Sequence, residues 1–281
     1  MSTRRTVLLV PILLAFTGAC ATSPIQKEAA ETLISPQDEV DLGKQVRAEV
    51  LKNEKVSDNQ DVQKYVQGVG NKIVELNKDR LPKEFKPTFT VLENDQINAF
   101  AIPGGDIFVY TGLLRAVENE AELASVLSHE MGHVVERHAA QGMVAQLGLG
   151  TIAELIVGKN PSTLAQIGTS IAANGFLVRN TQSMERQADQ VGMKTMIASG
   201  WDPHQMIAFF NKLAAQQGHA PSALEAFLSS HPPPADRAQY LTKELDDAGN
   251  PGGKTNPDAI AHIKSELPPA KTASQPGNPR G

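Results

Sequence analysis

The sequence predicts an α+β domain, mainly helical, with a small sheet beside the helix that carries its most distinctive motif. Three observations predict it. Apolar residues recur at helical spacing over residues 36–77, three short β-rich runs lie between Thr88 and Tyr110, and the pattern is predominantly helical from Asn119 onward.

Ahead of that domain stand Arg4 and Arg5, an apolar run from Val7 to Phe16, and then Gly18-Ala19-Cys20. This is the pattern of a secretory signal over residues 1–19, and the run is too short to span a bilayer as a permanent helix. Cys20, the only cysteine, stands where the acylated first residue of a bacterial lipoprotein would, with Thr17 in place of the usual lipobox leucine. The other reading is an ordinary signal cleaved near Ala19 or Ala21, with an incidental thiol at Cys20. A single cysteine excludes an internal disulfide. Cleavage before Cys20 removes two of the 26 basic residues, leaving 24 against 31 acidic ones and a net charge of −7. That balance argues against nucleic acid as a partner. Ala21 stands where an aspartate would signal inner-membrane retention, so the expected location is the periplasm, anchored to the outer membrane, with residues 20–35 as the tether.

Two helices are predicted next, over residues 36–53 and 59–77. In the second, Val62, Tyr65, Val66, Val69, Ile73 and Leu76 follow the helical period. Pro82 and Pro87 interrupt it. Thr88–Leu92 then reads as a strand, followed by short strands at Ala99–Ala101 and Ile107–Tyr110, with Pro103-Gly104-Gly105-Asp106 as the turn of a hairpin. Asn119 followed by Glu122 predicts a capping box opening a helix whose apolar stripe runs through Leu123, Val126, Leu127, Met131 and Val134. The segment Met143–Val157 is apolar but contains Gln146 and Glu154; it reads as a core helix, a cover over a cleft, or a segment lying against lipid. A further helix is predicted over residues 181–199, ended by Gly200, with Asp202-Pro203 starting the next. Residues 36–246 thus form one domain, and 247–281, rich in Pro, Gly, Ala and Lys, read as a disordered tail.

The motif is His129-Glu130-Met131-Gly132-His133. On a helix, positions i and i+4 share a face, so both imidazoles can reach one zinc ion. Glu130 is rotated about 100° from His129, at the edge of the metal's open position, where a carboxylate can act as general base toward water. A catalytic zinc site commonly has three protein ligands, and the candidate for the third is Glu185, four residues before Asp189 on one helix face. Taken alone, such a pair is more often a solvated acidic face than a metal site; the upstream motif reverses that reading. His138, His204 and His219 have no comparable context and read as surface residues.

These residues resemble a family, the HtpX and CAAX prenyl protease-type zinc metallopeptidases, which include the periplasmic lipoproteins LoiP and BepA. The resemblance rests on Asn98-Ala99-Phe100-Ala101 with Pro103-Gly104-Gly105, His129-Glu130-x-x-His133, Glu185-x-x-x-Asp189, and His231-Pro232 with Arg237, in the family's order over most of residues 36–246. It implies a gluzincin-type fold, one zinc ion per chain held by His129, His133 and Glu185, and Glu130 as general base. It assigns Asp189 to proton donation, whereas physical chemistry equally allows it to orient a ligand histidine. It makes Asn98, Ala99, Phe100 and Ala101 an edge strand onto which an extended substrate adds; a plain structural strand is the alternative. His231, in a proline-stiffened loop, is either a fourth ligand that holds the enzyme inactive or a substrate-contacting or capping residue. Arg237 either stabilises an oxyanion or pairs with an acid of the site. The expected activity is zinc-dependent endopeptidase action on misfolded or misassembled envelope proteins. The rival is a chaperone or assembly factor that uses the same cleft only to bind.

Overall fold

In the computed structural model, which describes residues 34–174, 179–215, 222–233 and 235–270, the chain begins on helix α1 (Pro36–Asn53). The signal segment, Cys20, nearly all of the tether, His219 and residues 271–281 lie outside the described residues. The start of α1 is fixed locally. Ser35 Oγ accepts from the Asp38 N–H at 3.1 Å, and Asp38 accepts from the Ser35 N–H at 3.0 Å, with Pro36 in the first turn. Helix α2 (Gln60–Asn77) is capped by Asn59 and buries Val62, Val66, Val69 and Ile73 of the predicted apolar face, with Tyr65 half-buried and Leu76 exposed.

Strands β1 (Phe89–Leu92), β2 (Ala99–Ala101) and β3 (Ile107–Tyr110) form a sheet of order β1-β3-β2. β1 runs parallel to β3, and β2 pairs antiparallel with it in the register Ala99↔Val109, Phe100↔Phe108, Ala101↔Ile107. Alternate side chains enter two apolar clusters. Phe89, Val91, Ala99, Ile107 and Val109 face one, and Leu92, Phe100, Phe108 and Tyr110 face the other. The outer edge of β1 is closed by side chains of α2: the Phe89 N–H donates to Gln67 Oε1 at 3.0 Å and the Val91 N–H to Gln63 Oε1 at 2.9 Å. At the other edge, Asn98 and Ile102 bond back to Tyr110 and Asp106, so the backbone groups of Ala99 and Ala101 point away from β3. The hairpin turns through Pro103–Gly105, where Gly104 has φ 80° and Gly105 φ 102°. α1 lies against this turn so closely that a Cβ on Gly43 would stand 2.0 Å from the Pro103 carbonyl oxygen.

After the short α3 (Thr111–Ala116) comes the central helix α4 (Glu120–Val135). Asn119 caps it as predicted, accepting from the Glu122 N–H at 2.9 Å, but Glu122 reaches the Glu118 N–H rather than closing the box on Asn119. The helix is buried on every side, not along one stripe: Ser125, Ser128, His129, Glu130 and His133 are covered along with the apolar residues. The polar positions that gave it an amphipathic pattern face other protein groups instead of solvent. Helix α5 (His138–Ile156) is interrupted at Gly148, φ 76°. It buries Met143, Val144, Ile152 and Leu155 against α1 and α6 (Pro161–Asn174) while leaving Leu149 and Val157 exposed. No helix among the described residues is long and apolar enough to cross a membrane.

Helix α7 (Gln182–Ser199) is capped by Thr181 and ended by Gly200 in the left-handed region. It packs along α4 at backbone distance, since a Cβ on Gly132 would meet the Ala188 carbonyl oxygen at 2.5 Å. Helices α8 (His204–Ala215), α9 (Ser222–Ser230) and α10 (Arg237–Asp247) complete the larger cluster. The tail expectation is corrected here. Residues 257–265 form helix α11, whose Ile260 and Ile263 are buried in that cluster, and Arg115 donates to the Pro268 carbonyl at 2.6 Å. Two apolar residues in a proline- and glycine-rich stretch are a weak periodic signal, yet they suffice where a groove is ready for them.

Candidate active site

Helix α4 carries His129 and His133 one turn apart, α7 carries Glu185 and Asp189 one turn apart, and the loop after α9 brings in His231. The glycine at 132 permits this meeting, because two helices can hold ligands within one ion's reach only if their backbones approach closely. His129 Nε2 and His133 Nε2 stand 3.1 Å apart, and each lies 3.3 Å from a Glu185 oxygen. His231 Nδ1 is 3.0 Å from Glu185 Oε1 and 3.3 Å from His129 Nε2. One ligand atom from each of the four residues lies within 4.8 Å of every other, and all four side chains are buried.

This donor set fits a metal ion. Lone-pair atoms converge on one point, and Glu185 Oε2, fully buried, has no hydrogen-bond partner. Imidazole nitrogen with one carboxylate oxygen is a donor set that suits zinc. Burial alone would push Glu185 up, but His231 and His129 outweigh it and hold the carboxyl well below its usual range. Burial likewise pushes His133 well below an ordinary histidine, and neighbouring Glu185 only partly offsets it. On His129 burial is overcome by Glu185 and Asp189, which lift it to about 9.

Glu130 is 1 % exposed, and its pKa is raised by burial. It accepts the Ala101 N–H of β2, while its Oε1 lacks a hydrogen-bond partner and lies 3.5 Å from His231 Nε2. The structure therefore places Ala101, the last residue of edge strand β2, beside the carboxylate. Asp189 sits behind His129, with Oδ1 2.9 Å from Nδ1, the nitrogen turned away from the cluster. It is gripped by Arg237, Nε to Oδ2 at 2.7 Å and a second nitrogen to Oδ1 at 2.5 Å, and by the Tyr240 hydroxyl. Although burial raises it, Arg237 and His129 keep Asp189 below the usual carboxylate range. Arg237 is packed 3.9 Å over the Phe210 ring and spends its donors on Asp189, the acid-pairing alternative. All seven of these predicted residues, His129, Glu130, His133, Glu185, Asp189, His231 and Arg237, come together; Cys20 lies outside the described residues.

One expectation is reversed. His138 is fully buried, not a surface residue, and its Nδ1 lies 2.8 Å from His133 Nδ1. Arg137 adopts φ 56°, which breaks α4 from α5 and turns His138 back over the ligand it follows by five residues. A helical reading of the sequence points position 138 elsewhere, so the break hid it. Tyr240 and Asn180 were also missed; Asn180 Nδ2 is 3.4 Å from both His133 Nε2 and His231 Nδ1. Tyr240 had a signal, lying one helical turn after Arg237. His204 is partly exposed and bonded to Asp202 at 2.7 Å.

The chain is similar to proteins of the same chemistry. It is 35 % identical over 213 residues to the beta-barrel assembly-enhancing protease of Yersinia pestis, covering 72 % of this chain and 41 % of that one. It is 29 % identical over 233 residues to the protein of the same name from Escherichia coli strain K12, covering 79 % of this chain and 47 % of that one. It is 31 % identical over 153 residues to the mitochondrial metalloendopeptidase OMA1 of Arabidopsis thaliana, covering 54 % of this chain and 30 % of that one. The chain thus spans less than half the length of these relatives. The model of peptidase family M48 matches residues 60–245, the span that carries the buried His-His-Glu-His cluster, and the chain belongs to that family of metallopeptidases.

Proposed function

We propose that this protein is a zinc endopeptidase of the cell envelope that hydrolyses peptide bonds in misfolded or misassembled envelope proteins. The observation that carries the reading is the convergence of His129, His133, Glu185 and His231 beside an unpartnered Glu130 oxygen. His129, His133 and Glu185 would hold the ion; bound there, zinc would lower the pKa of water and polarise the scissile carbonyl. Glu130, held by the Ala101 N–H and raised by burial, takes the proton and passes it to the leaving amine. Asp189 holds His129 with Nε2 turned to the ligand cluster, and Arg237 and Tyr240 hold Asp189. An extended substrate adds to the outer edge of β2, where Ala99 and Ala101 turn their backbone groups outward, so recognition depends little on side chains. Unfolded chains offer such backbone.

The signal-like segment, Cys20 and the similarity to beta-barrel assembly-enhancing proteases support a lipid-anchored site at the periplasmic face of the outer membrane. His231 supports a second reading, a latched homologue that acts mainly as a chaperone or assembly factor, because its ring fills the space beside Glu130. Incubation of the purified protein with unfolded casein, with and without a zinc chelator, tests the proposal. Cleavage that chelation stops and zinc restores is expected; cleavage indifferent to chelation would contradict it.

A further inference from the structure

His129 and His133 are supported from behind by different chemistry. His129 rests on the ionised Asp189, itself neutralised by Arg237. His133 rests on His138, whose Nε2 lies 2.9 Å from Gln187 Oε1 on α7, the residue between Glu185 and Asp189. The direction of this chain follows from donor rules. An amide oxygen only accepts, so His138 Nε2 carries the hydrogen. In a neutral imidazole the other nitrogen, Nδ1, then holds the lone pair. That lone pair faces His133 Nδ1 at 2.8 Å, so the hydrogen between the two rings belongs to His133. His133 is left with its unprotonated Nε2 facing Glu185 Oε1 at 3.3 Å.

We infer that His138 and Gln187 are positioning residues that fix the tautomer and ring orientation of His133 as a metal ligand, a neutral relay in place of the carboxylate that backs His129. This rests on the zinc reading of the cluster. Neutrality has a physical reason. Glu130, Glu185 and Asp189 already place three carboxyl groups in a site whose described residues are almost wholly buried, with Arg237 as the cation, 2.5 Å from Asp189 and 3.6 Å from Glu185. A fourth carboxylate behind His133 would add uncompensated charge in low dielectric. A neutral acceptor orders the ring without it.

Two measurements on the full chain test the relay. In the zinc-loaded wild type, long-range nitrogen-15 NMR of the histidines is expected to show His138 protonated at Nε2 and unprotonated at Nδ1, with His133 protonated at Nδ1; the opposite tautomer of His138 overturns the proposal. Zinc affinity, by competition with a chromophoric chelator, is expected to fall about 10- to 100-fold in His138→Leu, the range for loss of such a support. His138→Asn, which places an amide oxygen where Nδ1 stands, is expected to stay within about threefold of wild type. Equal affinities in wild type and His138→Leu overturn the relay, as do equal losses in both variants, since a merely structural histidine would not distinguish an acceptor from an alkyl group. A wild type that binds no zinc overturns the metal reading itself, and the relay with it.

Discussion

Glu130 is a carboxylate with one oxygen unpartnered, 1 % exposed, on a helix buried on every side. Leaving such a group without a partner is costly, on the order of 1–3 kcal/mol or more, and the site keeps it within reach of the ligand cluster. The same economy of space makes His231 informative. Its Nδ1 stands among the ligand atoms and its Nε2 faces Glu130, so it touches both halves of the proposed chemistry. His231→Ala is therefore expected to raise cleavage of an unfolded substrate several-fold, about 3- to 10-fold, corresponding to release of a state favoured by roughly 1 kcal/mol. An unchanged or lower rate, measured at saturating zinc, would count against a latch. At this scale the sequence was most legible where chemistry imposes spacing: 129, 130 and 133 share a helix face by their spacing, whereas the 185/189 pair, alone an acidic helix face, takes its role from the motif upstream and from the resemblance. His138 was illegible because one left-handed residue, Arg137, redirects it.

At the scale of elements, the seam between α4 and α7 sets the geometry of the site. Alanine is favoured over glycine in a helix interior by up to about 1 kcal/mol, so Gly132→Ala on an isolated helix would stabilise it. Here the new Cβ meets the Ala188 carbonyl oxygen at 2.5 Å and its Cα at 2.7 Å, backbone that cannot swing aside. The clash wins, and the variant is expected to lose about 1–3 kcal/mol in denaturant unfolding together with zinc affinity. A second element contact joins α1 to the hairpin beside the substrate edge. Glu39, 1 % exposed, pairs with Arg137 and accepts the Gly104 N–H, and burial raises its pKa to about 7 despite both. The folded state thus holds this proton more tightly than the unfolded chain. Its contribution is fully present below pH about 4.5 and is lost as pH rises to about 7, at most about 3 kcal/mol. Glu39→Gln is expected to flatten the fall in stability between pH 5 and 7 relative to wild type; an identical slope in both proteins would remove Glu39 as its source. Helices α1, α2 and α7 and the three strands were readable from caps, prolines and periodicity. α11 was not, because what orders it is a groove built by residues far away in sequence.

Across the whole molecule, the sheet divides two apolar clusters, and the site lies where the larger cluster meets the edge strand β2. One sheet edge is closed by Gln63 and Gln67, and the other carries outward-facing backbone next to Glu130, an asymmetry that suits a protein meant to accept a strand on one side. The α+β class was legible because the β period is confined to one block, between Thr88 and Tyr110, with helical periods before and after it. Which edge is closed by side chains was not, since Gln63 and Gln67 look like ordinary solvated positions of α2 until β1 lies against them. The central claim is that the cluster holds zinc and that Glu130 acts on water beside it. Its most direct test is Glu130→Gln, assayed for both zinc content and hydrolysis in one preparation. The variant is expected to keep about one zinc per chain while cleavage falls by about 10²- to 10⁴-fold, the range for loss of a general base. Cleavage at the wild-type rate by a zinc-loaded Glu130→Gln protein would contradict the account.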